Sequence, residues 1–386
     1  MVKFILKYHR LIAASSLLIS SSTFAQITLI DQAQFLTDQD RLTLTTSGSL
    51  RLQALNFDQY NPSNESQKYR RDGYSATSRI YANLNYQMNP DLSVLAGYQN
   101  YINPPKILDW EGHYSSSDEI TTTEQAYVGI ASKRYGTLKF GKIYSIYYDV
   151  VGSKTDLWDY DTLAQPQTWS PVAYYDGTQA GRKSLRYEKK FERFDIYLGY
   201  QFKDDTTTQG IRYQRESGQA VALDLHLNAQ THWATSWTHN AANLQRVDAR
   251  HDFNQDTLAS ALFYFNGRWM FGLGGGWYKN MLPNYDALAL PASASLSQFL
   301  NSEAYGFEYY AGYQFQIGHH AIKTVQPYVM GNYLDYTRGA DFSRRDHGVG
   351  VAVRFTHGIG FDYERLYTKD TWNTPDMHLF RLRYEW

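Results

Sequence analysis

The stretch VALDLHLN (221–228) restricts the backbone more than any other feature of the chain. Val221, Leu223, Leu225 and Leu227 are apolar, and Ala222, Asp224, His226 and Asn228 alternate with them. A helix would mix these sets around its circumference, whereas a strand sends them to opposite faces. The same period recurs in SRIYANLNY (78–86), where Ile80, Ala82, Leu84 and Tyr86 oppose Arg79, Tyr81, Asn83 and Asn85. It recurs in GVGVAVRF (348–355), in SEAYGFEYYAGYQFQ (302–316) and in the closing HLFRLRYEW (378–386). The chain is therefore read as all-β.

About sixteen strand candidates follow, among them 42–56, 92–102, 219–230, 231–242, 256–267, 347–357 and 377–386. Their connections alternate in length. NPD (89–91), KRYG (133–136) and HGIGF (357–361) are tight, while 57–75, 103–119, 144–181 and 281–300 are long. A soluble sandwich or propeller would also alternate, but its apolar face would be the core and its polar face would carry surface Lys, Glu and Thr. Here aromatics make up 16% of the residues, with 34 Tyr and 9 Trp, and the apolar faces carry them near strand ends. Even strand number, short turns at one end, long loops at the other and interfacial aromatics predict a transmembrane antiparallel barrel. Its apolar face meets lipid and its polar face lines water. Beyond the first residues no apolar run reaches the ~20 residues of a spanning helix.

The leader MVKFILKYHRLIAASSLLISSSTFAQ carries Lys3, Lys7 and Arg10, then an apolar stretch from Leu11 to Ile19. Small residues at Thr23 and Ala25 predict a signal peptide over 1–25, leaving 26–386 as the barrel domain. Losing three basic residues takes the net charge from −1 to −4. The chain has no cysteine, which suits export through an oxidising compartment and removes thiolate metal sites and a cysteine nucleophile. Lys plus Arg (37) and Asp plus Glu (38) balance, so bulk charge does not point to nucleic acid.

AYVGIASKRYGTLKFGKIYSIYYDVVGSKTDLWDYD (126–161) resembles the Gram-negative general-diffusion porins, through Ala126, Gly129, Gly136, Gly141, Lys142, Tyr148, Asp149, Gly152, Thr155 and Asp156. GRKSLRYEKKFERFDIYLGYQF (181–202) resembles the next strand pair of that family. The resemblance implies a trimeric outer-membrane channel for small hydrophilic solutes and ions. It also implies that the loop at about 144–181 folds inward and narrows the pore. There, acids face a basic wall. Asp156 matches a constriction acid; the family's P-E-F-G-G run is absent, and Tyr160, flanked by Asp159 and Asp161, takes its place. On the wall Arg79 matches a ladder arginine, and Arg51 shares a face with the family's first-strand lysine position. Glu124 stands where many relatives carry Arg, and Arg182 and Arg186 lie near the last ladder position. Lys142 matches a residue that meets an acid of a neighbouring subunit, and Asp109 and Glu111 lie in the corresponding loop. Phe380, Leu382, Tyr384 and Trp386 resemble a C-terminal signal read by the outer-membrane assembly machinery, with Trp in the place usually held by Phe.

No cofactor is expected. The eleven histidines include no H-E-x-x-H or comparable spacing. FGLGGGWYKN (271–280) lacks the Lys-Ser/Thr of a phosphate loop, so its glycines are read as permitting close packing. The reading is a non-enzymatic porin in outer-membrane lipid. A substrate-selective channel is the nearest alternative, and an outer-membrane barrel hydrolase is the alternative from another class. The net charge of −4 leads to an expectation of weak cation preference.

Overall fold

The computed structural model describes residues 26–58, 78–110, 119–158, 174–208, 211–246, 249–282, 296–318, 320–371 and 373–386. The leader (1–25), Glu111, Asp159 and Asp161 lie outside the described residues.

The strands run in chain order as β1 (Ile27–Ala33), β2 (Arg41–Phe57), β3 (Arg79–Gln87), β4 (Leu92–Ile102) and β5 (Thr121–Ser132). Next come β6 (Gly136–Tyr144), β7 (Ala180–Lys190), β8 (Phe194–Gln201), β9 (Asp204–Thr208) and β10 (Ile211–Asn228). They continue through β11 (Thr231–Arg246), β12 (Ala249–Phe265), β13 (Trp269–Lys279), β14 (Glu303–Tyr313) and β15 (Phe315–Gln316). The last are β16 (Ile322–Arg338), β17 (Ser343–Phe355), β18 (Ile359–Asp370) and β19 (Met377–Glu385). Every pairing is antiparallel, and β19 pairs back onto β2 with Leu382 opposite Leu52 and Arg383 opposite Arg51. Sixteen staves close the barrel, because β9 and β15 extend the staves of β8 and β14 and β1 fills part of the seam. Closure leaves no row of unpaired amides to face lipid.

The seam brings the two ends of the barrel domain together. Trp386 exchanges backbone hydrogen bonds with Gly48 at 2.9 and 3.1 Å. Ile27 and Thr28 of β1 then sit opposite Thr46 and Thr45. Since β3 occupies one edge of Arg41–Ser49, β1 must take the other, the edge along which β19 runs. The short, weakly alternating β1 was not visible as a strand in the sequence. The other differences are of length: β10, β11, β12 and β17 each begin or end several residues outside the alternating cores at 219–230, 231–242, 256–267 and 347–357.

The two faces of each stave separate as expected. On β19, Phe380, Leu382 and Tyr384 are 42%, 52% and 46% exposed on the outside, while Arg381, Arg383 and Glu385 are buried on the inside. Aromatics gather near the short turns, where Trp269 stacks on Phe271 at 5.5 Å and meets Tyr313 edge-on at 4.7 Å. Phe191 and Phe194 stack at 4.6 Å beside another such turn. Such amphipathic rings favour the level where hydrocarbon meets headgroup.

Candidate functional site

The inside of the barrel holds the chain's unusual chemistry, and the connection after β6 enters it. A helical turn, Tyr147–Val151, and a tighter one, Gly152–Lys154, follow Tyr144. Ile146, Tyr147, Val150 and Val151 pack on Tyr197 of β8, Ala222 of β10, Ala234 of β11 and Ala259 and Ala261 of β12. Small side chains on this stretch of wall let a helical turn lie against it. The glycines of β13 serve the same end. A Cβ at Gly272 would lie 2.7 Å from both Leu157 Cδ1 and the Lys154 carbonyl, and one at Gly274 would lie 2.8 Å from Thr155 Cγ2. The glycine run is thus a packing bed.

Ion pairs pin the segment at two points. Lys154 Nζ reaches Asp224 on β10 at 2.8 Å, and Arg186 on β7 reaches Asp149 at 2.6 Å and Glu188 at 3.3 Å. Further on, Trp158 joins an apolar cluster with Met270, Tyr310, Tyr328, Met330, Leu366 and Leu379. This part of the interior face is apolar, contrary to the expectation of a polar lining throughout. The physical reason is that a chain segment packed inside a barrel must bury its own apolar side chains against something.

The returning arm is held by Arg215 of β10. Its guanidinium donates to the carbonyls of Tyr175 (2.7 Å), Arg182 (2.8 Å) and Phe202 (2.9 Å), and the side chain is fully buried. Sequence reading missed Arg215, because a backbone-clamping arginine has no local signature.

Opposite this segment stands a group of arginines. Arg51 of β2, Arg79 of β3 and Arg381 and Arg383 of β19 are within Coulombic reach of one another. Asp156 acts on the same group through Arg381, and its carboxylate accepts a hydrogen bond from the Tyr148 hydroxyl. The cluster is partly neutralised. Arg51 lies 3.8 Å from Glu385, Arg383 lies 3.2 Å from Glu385 and also pairs with Asp362, and Arg381 bonds Gln53 Oε1 at 2.8 Å. The Nε–H groups of Arg79 and Arg383 are buried without an acceptor among the described residues. Arg51, Arg79 and Asp156 are legible in the sequence. Alternation in HLFRLRYEW gives Arg381 and Arg383 only an inward direction, because the closing strand lies far from Arg51 in sequence and meets it only through closure.

The remaining candidates disperse. Glu124 is the bulged residue of β5, between Gln125 opposite Gln99 and Thr123 opposite Asn100. A bulge lets two successive residues face one partner strand. Glu124 is thereby buried, and it accepts a hydrogen bond from Tyr174 at 2.8 Å. Lys142 sits over the Tyr174 ring at 3.5 Å and donates to the Thr123 carbonyl, so its ammonium is engaged within its own chain. Arg182 is half-exposed at a strand rim and pairs with Asp204 at 3.1 Å, away from the arginine group. Arg186 faces the interior but is bound to the helical turn through Asp149. Asp109 follows the short helix Pro104–Ile107 and has a positive φ of 52°.

An interior of paired charges inside a closed sheet with an apolar outside defines a transmembrane β-barrel channel. The chain belongs to the Gram-negative porin family, whose profile matches residues 12–377. No curated protein sequence matches the chain. Its fold is similar to Salmonella typhi OmpF, solved with daunomycin, at 14% identity and TM-score 0.64, covering 89% of this chain and 98% of that one. It is also similar to the outer-membrane channel DcaP of Acinetobacter baumannii, at 11% identity and TM-score 0.59, covering 92% and 100%. A third likeness is OmpT of Vibrio cholerae in its trimer form, at 11% identity and TM-score 0.56, covering 90% and 100%. The protein is an outer-membrane porin, a multi-pass β-barrel.

Proposed function

We propose that the pore passes small hydrophilic solutes and ions by passive diffusion, and that selection occurs where Asp156 faces Arg51, Arg79, Arg381 and Arg383. The observation that carries this reading is the opposition itself: an acid on an inward segment and clustered arginines on the facing wall. Opposed rows of charge set up a field across the water column that orients dipolar solutes and sorts ions. Asp159 and Asp161 would add to the acidic side, and Glu124 would act as a structural acid that ties the loop base to the wall. The segment 144–181 serves as the constriction loop, and no reaction is catalysed.

The working unit is a homotrimer in outer-membrane lipid; the trimer form of the Vibrio cholerae structure supports this reading. Lys142, engaged within its chain, is then a loop anchor first and a partner for Asp109 or Glu111 of a neighbour second. Residues 1–25 act as the export leader. Phe380, Leu382, Tyr384 and Trp386 form the segment that the assembly machinery reads.

Planar-bilayer recording of the refolded protein tests the proposal. Conductance steps in groups of three are expected, and silence at high protein load would sink it. Hydrolysis of lipid or peptide substrates by the same preparation would support the hydrolase instead.

A further inference from the structure

We propose that the inner wall carries a transition-metal site built from Asp224 and His226 of β10 and His232 of β11, with Asp195 of β8 beside it. The four side chains come near one another although they are spread over 38 residues of chain, Asp195 to His232, without any recognisable ligand motif. The pairing of β8, β10 and β11 brings them together: Asp224 lies opposite Asp195, and His226 lies opposite His232.

The geometry is that of a ligand set short of its ion. Ligand atoms of Asp224, His226 and His232 all lie within 4.8 Å of one another. His226 Nε2 is 3.4 Å from Asp195 Oδ2, and His232 Nδ1 is 3.6 Å from Asp224 Oδ1. Ligands about 2.0–2.2 Å from a tetrahedral zinc are separated by roughly 3.3–3.6 Å, so these two spacings need little adjustment. The two imidazole rings sit 4.8 Å apart and tilted by 56°, not stacked face to face.

Independent features point the same way. Asp195 Oδ1 is buried with no hydrogen-bond partner among the described residues, and Asp224 Oδ1 is buried with the His232 ring nitrogen beside it at 3.6 Å. Buried carboxylate oxygens ordinarily find donors, and a cation held between Asp224 Oδ1 and the two imidazoles would satisfy that oxygen. His226 Nδ1 lies 3.3 Å from the Glu192 carbonyl. A proton on Nδ1 would bond that carbonyl and leave the Nε2 lone pair facing Asp195, the outer contact that commonly orients a metal-binding histidine. The imidazole side chains are 25% and 34% exposed, so an ion can reach them. Lys154 occupies Asp224 Oδ2 and lowers the site's negative charge, but leaves Oδ1 open. Two nitrogen donors and one carboxylate oxygen, with an open position, suit Zn²⁺ or Co²⁺ better than Ca²⁺ or Mg²⁺, which prefer all-oxygen sets.

The refolded full barrel, titrated with CoCl₂ and followed by visible d–d absorption, tests the site, with ZnCl₂ used to compete. One ion per chain is expected, with zinc displacing cobalt. His226→Asn and His232→Asn should each weaken binding by about tenfold or more. His347→Asn, on β17, should leave it unchanged. Circular dichroism and heat-modifiable gel mobility would establish that each variant is a folded barrel. Absence of cobalt absorption by folded wild type, binding kept in the His226→Asn/His232→Asn double variant, or equal loss in His347→Asn would each overturn the proposal.

Discussion

Asp156 and Asp40 are carboxylates in two settings, one near Arg381 inside the barrel and one in a turn. Asp156 lies within Coulombic reach of Arg381, one of the clustered arginines. Asp156→Asn should therefore shift the reversal potential in a salt gradient toward anions, with folding yield unchanged. An unchanged potential would remove Asp156 from the selecting region. Asp40 lies in the turn before β2, outside the spanning segments. Burial opposes its ionisation, but the amides of Phe35, Leu36 and Thr37 and the Tyr86 hydroxyl outweigh burial and hold its pKa down to about 2. A depressed folded pKa stabilises the turn above the ordinary carboxyl value of 3.8 and ceases to do so as pH falls through about 2. Amide exchange at Phe35, Leu36 and Thr37, corrected for its intrinsic pH dependence, should lose protection across that window. Protection that stays flat would mean that the carboxylate is not what holds the turn.

At the scale of elements, the inward segment and the closing strand each depend on close fit. Gly272 touches Leu157 and the Lys154 backbone, so Gly272→Val must displace the segment. We expect a cost of about 1–3 kcal/mol, with a larger single-channel conductance as the segment lifts. A variant with wild-type conductance would show that the segment does not narrow the pore. The last strand closes through Trp386, whose ring would lie 2.4 Å from any Cβ at Gly48 and whose backbone completes the ladder there. Deleting Trp386 should sharply reduce membrane-inserted barrel in cells. Normal yield would show that neither the seam nor the assembly machinery needs it.

For the whole molecule, the sign of ion preference sets the net charge of −4 expected after leader removal against the local arginine cluster. The interior charges are largely paired, so the constriction carries little net sign of its own, and the long-range field of the net charge should tip selection there to weak cation preference in a salt gradient. Screening shortens that field to ~10 Å at 0.1 M salt, and the preference should fade as salt rises. Clear anion selectivity persisting at high salt would show that Arg51, Arg79, Arg381 and Arg383 outweigh Asp156 at the constriction and would refute the expected cation preference.

The staves were legible because a barrel in lipid must alternate, and alternation is local: Leu382 and Arg383 declare opposite faces within two residues. Leu92–Ile102 matches the sequence reading end to end. The inward directions of Arg381 and Arg383 and the packing role of the glycine run were legible for the same reason. Tertiary structure decided which inward residues meet. Arg51 and Arg383 are neighbours only because the sheet closes, Glu124 turns inward only because β5 bulges, and β1 pairs only because β19 leaves an edge of β2 open beyond Trp386. Asp195, Asp224, His226 and His232 form a group only because strand register puts them level. Periodicity assigns each side chain a face, but register and closure, set by pairing between distant segments, assign it its neighbours.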